Sequence, residues 1–186
     1  MRVFALVFVS LLIASTNLNS QSPMHPPSNS TTSTVSLPSE AEIGELLDKA
    51  TEYVATYRRT FTNAKSTLAK SNEPGFYQAA ITQCDQANEV ISTIKKDGSS
   101  GTSLLSILTI LDDMSLNAAK ASSAAMLVAL TEDRSIKTNH GMQDFQDLAQ
   151  AGKNCYDISE LIFHATFRYV AFEDDIIRKI AAQQTK

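Results

Sequence analysis

Four apolar stripes, each stepping by three and four residues, limit the fold of this chain more than any other feature. The first takes Ile43, Leu47, Ala50, Val54, Tyr57, Phe61, Ala64 and Leu68, and the second Tyr77, Ala80, Cys84, Ala87, Ile91 and Ile94. The third takes Leu104, Ile107, Leu111, Met114, Ala118, Ala121, Ala125 and Val128. The fourth, Leu148, Ala151, Cys155, Ile158, Ile162, Ala165, Tyr169, Phe172 and Ile176, keeps the same rhythm longest. On a helix of 3.6 residues per turn these positions share one side, and only another apolar surface can cover them. No stretch of useful length alternates with period two, so the pattern predicts an all-α fold, most simply an antiparallel four-helix bundle.

Punctuation between the stripes agrees. Ser39-x-x-Glu42 is a capping box that opens the first helix, and Ser71, Asn72, Glu73, Pro74 and Gly75 break it. Lys95 and Lys96 suit the end of a helix that stops before Gly98, and Thr102 or Ser103 is the expected cap of the third. Residues 118–125 hold only Ala, Ser and one Lys, which predicts the closest helix crossing there. The pattern lapses over residues 131–141. The fourth helix would reach about 60 Å if unbroken, and Gly152 is its expected kink or break.

Ahead of the stripes the chain changes character twice. Arg2 precedes an apolar run over residues 3–14, which then gives way to small and polar residues. That run is too short to span a bilayer, so residues 1–20 read as a cleaved signal peptide and the protein as secreted, with no membrane span. Cleavage after Thr16 or after Ser20 fits, the second being preferred. Residues 21–38 carry four prolines and many Ser and Thr, and we expect a disordered leader there. Asn29-Ser30-Thr31 is a glycosylation sequon within it. The helical domain is then residues 39–186. The whole chain's formal charge of −4 becomes −5 without Arg2 (15 bases against 20 acids), which argues against nucleic acid or an anionic membrane as partner.

Cys84 and Cys155 are the only cysteines. In an oxidising compartment a disulfide between them is the default expectation, worth about 4 kcal/mol by loop entropy, with two buried thiols the alternative. The bond requires α-carbons roughly 4.4–6.8 Å apart, so the second and fourth helices are expected to be neighbours.

Chemistry is sparse. His164 shares a polar stripe with Asp157, Glu160 and Arg168, where a solvated face with ion pairs outweighs an acid–base pair of His164 and Glu160. His140, Asp144 and Asp147 could share a helix face as a hard-metal site, but capping and surface charge explain them more simply. Glu173, Asp174 and Asp175 read as a solvated turn. No serine elbow, phosphate loop or paired-histidine motif is present, so neither an enzyme nor a cofactor is expected.

Residues 161–172 (LIFHATFRYVAF) stand out. With Tyr156, the residues Leu161, Phe163, Phe167 and Val170 give the last helix an apolar arc wider than one seam needs. Either this is a central helix covered on two sides, the preferred reading, or the five residues form a binding patch. We expect Phe163 in the core and Phe167 at the surface.

Ala80-Ile81-Thr82-Gln83-Cys84 resembles, over one turn, the Ala-Leu-x-x-Cys helix start of plant invertase and pectin methylesterase inhibitors. The resemblance implies a secreted four-helix bundle that inhibits an enzyme. The chain lacks that family's N-terminal cysteine pair, Cys155 lies far beyond the expected partner, and Asn88 stands where a tyrosine is expected. Taken together, the expectation is a secreted, non-catalytic helical bundle that binds a secreted or cell-surface protein, with inhibition as one form of that binding. A carrier of a small lipid-like apolar molecule in the bundle interior is the alternative.

Overall fold

Each stripe becomes a helix. The computed structural model describes residues 36–71, 75–131 and 140–184, all within the unit Val35–Lys186. The other unit, Met1–Thr34, lies outside the described residues, and with it the signal peptide, the sequon at Asn29 and most of the leader. Among the described residues there is no strand, and the helices run α1 (Glu40–Asn63), α2 (Lys65–Ala69), α3 (Gly75–Asp97), α4 (Gly101–Thr131) and α5 (His140–Gln184). The fold is all-α.

The helix ends follow from local chemistry. Ser39 Oγ accepts from the Glu42 amide at 3.1 Å, but the Glu42 carboxylate does not close the box; it accepts instead from Arg168 at 2.6 Å. Ala64 interrupts the first stripe for one residue only, since its amide still donates to Thr60 and its carbonyl still accepts from Leu68. Gly98, at φ +92°, supplies the left-handed residue that ends α3. The cap of α4 is Ser100 rather than the expected Thr102 or Ser103. Ser103 sits three residues in and reaches back, its Oγ accepting from the Ser100 amide at 2.9 Å while its own amide donates to Ser100 Oγ at 3.1 Å.

Side-chain contacts link the helices pairwise. From α1 and α2 to α3, Asp48 meets Lys95 at 2.7 Å, Arg58 meets Asp85, and Lys65 lies over the Tyr77 ring. From α1 and α2 to α5, Glu42 meets Arg168 and Thr67 Oγ1 donates to Asp144. Partners on one helix fall in number as those on the other rise. Each of α1 and α4 packs on both α3 and α5, and α2 touches all the others at one end.

The α4–α5 pairing is the closest. A Cβ built on Gly152 would meet the Ala118 Cβ at 2.9 Å, and one on Gly141 would meet the Ala129 Cα at 3.0 Å. Gly101 faces the Tyr169 Cβ at 3.4 Å. Gly152 therefore does not break α5; the helix runs through it, and the missing side chain admits α4. Of the residues 118–125 predicted to make the closest crossing, Ala118 and Ala119 face Gly152, while the second close approach is at Ala129, beyond that stretch.

The diagonals overturn one expectation. No α-carbon of α3 lies within 8 Å of one in α5, and none of α1 within 8 Å of one in α4. Cys84 and Cys155 are accordingly beyond disulfide reach, and both are free, buried thiols. The second and fourth stripes are not neighbours. Tyr57 crosses the other diagonal, donating to the Met114 carbonyl at 3.1 Å, while its phenol interacts electrostatically with both cysteines in the same layer. A long side chain can span that distance; two cysteine side chains cannot.

Candidate interaction surface

The last helix carries two apolar faces. One is the seam: Leu148, Ala151, Cys155, Ile158, Ile162 and Ala165 are buried against α1 and α4. The second lies roughly a quarter turn or more away, where Tyr156, Phe163, Val170 and Ile177 recur every seven residues with Phe167 between them. All five are exposed, by 49% to 63%. Two flanking helices cover only two directions around α5, and this row faces a third. The expectation that Phe163 is core is wrong: one step from Ile162 along the chain is 100° around the helix, enough to turn the ring out.

Leu161 separates from the other proposed patch residues. It is 43% exposed and lines a groove between α1 and α5 with Glu42, Leu46, Lys49, His164 and Arg168. His164 makes no hydrogen bond with Glu160 among the described residues; its ring sits edge-on to Phe163 at 5.9 Å. Asp157 pairs with Lys153 at 2.5 Å. The polar stripe is thus a solvated face laced with ion pairs.

Arg168 does something the sequence pattern did not disclose. Its guanidinium donates to the Ser36 carbonyl at 3.2 Å, to the Leu37 carbonyl at 3.1 Å and to Glu42. Pro38 is buried. The end of the expected leader, residues 36–38, is therefore fastened to α5.

The candidate metal ligands are engaged separately. Asp144 accepts from Thr67, and Asp147 from Gln143 at 2.8 Å. No group of metal ligands forms among the described residues. Burial pushes the Cys84 thiol up to about 11 and the Cys155 thiol up to about 12, which suppresses the nucleophilic thiolate at neutral pH. Glu173 and Asp174 are exposed, and Asp175 pairs with Lys179 at 2.6 Å.

One polar cluster went unread in the sequence. Asn117 Nδ2 donates to Tyr57 Oη at 3.0 Å, to the Phe76 carbonyl at 3.3 Å and to Gln83 Oε1 at 3.3 Å. It joins α1, α3 and α4, and no buried side-chain polar atom among the described residues lacks a partner. Burial drives the Tyr57 pKa upward, so the phenol remains a donor. With every group satisfied, the cluster orders the core rather than offering a reactive atom.

No helix among the described residues is long and apolar enough to cross a membrane. No known protein family, curated protein or solved structure matches this chain.

Proposed function

We propose that this protein is a secreted, non-catalytic, antiparallel four-helix bundle that acts by binding a protein through the outer face of α5. The observation that carries this reading is the exposed row of Tyr156, Phe163, Phe167, Val170 and Ile177. Soluble monomers seldom leave so much contiguous apolar surface uncovered unless something binds it. Aromatic side chains at helical spacing, rimmed by Glu160 and Arg168, have the composition of a protein interface. The cyclic order of neighbouring helices supports the bundle architecture. Asp144, Asp147 and Asp157 are engaged by Thr67, Gln143 and Lys153, and the interior is filled by Tyr57, Phe61, Leu111, Met114 and Ile162, which favours a surface function over a carrier. Inhibition of an enzyme is one form such binding would take.

The test is site-specific photo-cross-linking in the fluid that receives the protein. A photoreactive phenylalanine at position 167 is expected to capture a protein, and one at exposed Glu89 on α3 is not. Phe163→Glu added to the first probe should abolish the product. Capture from both positions alike, or from neither, refutes the reading.

A further inference from the structure

α5 outruns its neighbours. Gly101, the first residue of α4, lies level with Tyr169, and Glu42, near the start of α1, lies level with Arg168. The helix continues to Gln184, roughly 22 Å farther at 1.5 Å per residue. From Phe167 onward none of its described residues is buried. Ile176, Ile177 and Ile180 are 40% to 63% exposed on this arm. A helix of some fifteen residues is marginal in water by itself, and this one adds unburied isoleucine to the outer row described above.

From these features we infer that the outer face of α5 is a homodimer interface, in which two copies pack their α5 helices antiparallel about Val170. The inference rests on the protein-binding reading and names the partner as a second copy of this chain.

Three observations select that occupant. A row spaced by sevens reads the same when reversed. Phe163 lies seven residues before Val170 and Ile177 seven after, so reversal sets Phe163 against Ile177 of the second copy, twice over. One pair of charges also matches. Glu160 lies ten residues before Val170 and Arg178 eight after; being 18 apart, five turns, they share one flank of the helix. In an antiparallel pair that flank faces its own counterpart, which brings Glu160 near Arg178 of the second copy. The area is adequate as well. With aromatic side chains of about 150–250 Å² each, roughly half exposed here, the row offers on the order of 400–500 Å² of apolar surface per copy. A standard interface takes about 800 Å² from each partner, somewhat over half of it apolar. A two-fold axis closes the assembly and leaves no second face to propagate a fibre.

Sedimentation equilibrium of the full secreted chain tests this. The expected result is a concentration-dependent dimer at micromolar protein. Val170→Asp, which sets two carboxylates together on the axis, should weaken it by roughly a hundredfold or more with an unchanged circular dichroism spectrum. Glu160→Arg and Arg178→Glu should each weaken the dimer at least about fivefold, and the two together should restore it to within about twofold. A wild-type chain that stays monomeric up to about 100 μM overturns the inference, as does a dimer indifferent to Val170→Asp or to the charge exchange. The cross-link at position 167 separates the two readings. A monomer that captures a different protein there ends the homodimer and leaves the protein-binding function standing, whereas a monomer that captures nothing ends both.

Discussion

The two halves of α5 share one sequence rhythm and differ in almost every physical respect. Up to Thr166 the seam is buried, with Ile158 and Ile162 fully enclosed and Gly152 pressed on Ala118. Beyond it the seam continues through Tyr169, Phe172 and Ile176, yet the first two are only half-buried and Ile176 is 40% exposed. Nothing in the spacing distinguishes the halves. What differs is the company: α4 begins level with Tyr169, so the same apolar step that closes a core upstream faces open space downstream. Hydrophobic periodicity therefore states which side of a helix needs cover, while register and chain length decide whether cover exists at a given height.

The largest effect should come from the covered half. Ile162→Ala is expected to cost about 2–5 kcal/mol in chemical denaturation, because the removed side chain is enclosed. A loss below about 1 kcal/mol would mean the upstream half is no better packed than the arm. Alkaline pH should sharpen the same contrast through the cysteines of that layer. The unfolded chain releases their protons from about pH 9, while the fold retains them up to about 11 and 12. The native state thus binds more protons in that window; stability is complete below about pH 9 and falls as the pH climbs through the folded values. Thermal melts between pH 8 and 11 should flatten when Cys84→Ala and Cys155→Ala are combined, and an unchanged slope would place the titration elsewhere.

Smaller effects follow. Gly152→Val should cost about 1–3 kcal/mol despite the gain in helix propensity, since its Cβ would collide with Ala118; a stabilised variant would show that α4 and α5 can separate freely. Arg168→Ala should cost about 1 kcal/mol, the group being partly exposed, and should accelerate hydrogen exchange at residues 36–39 specifically. Last, Ile177→Ala in the Val170→Asp background should change stability by under about 0.5 kcal/mol. A loss matching that of Ile162→Ala would abolish the difference between the halves.

Most of the core was legible in advance because burial and spacing are the same information on a helix, and the seams from Ile43 to Ala165 are buried as expected apart from half-buried Tyr77. The order of helices around the core was not. Periodicity says that Cys84 and Cys155 point inward but not that they lie on opposite corners, and the disulfide expectation failed there. Gly152 was misjudged because propensity weighs a residue against its own helix, whereas here the deciding neighbour is Ala118 on another. Tyr156, Phe167 and Val170 are exposed together, whereas Leu161 lines a groove and Phe163, expected in the core, is exposed as well. Arg168 was read with its local stripe, and its true partner, Ser36, is 132 positions away, beyond any local signal.

The glycine–alanine notches have a further consequence, for how this chain can vary. Gly141 and Gly152 seat on Ala129 and Ala118, eleven residues apart on both helices, and so index α5 against α4 like the teeth of a key. One residue added just after Thr166 would leave the notches and the buried seam engaged and swing everything after it by 100°. Phe167, Val170 and Ile177 would then point somewhere else while the core upstream stayed intact. Changes of seven residues there would nearly preserve their bearing and simply lengthen or shorten the arm. The same stretch thus accommodates change by whole heptads, while a change of even one residue redirects the exposed face.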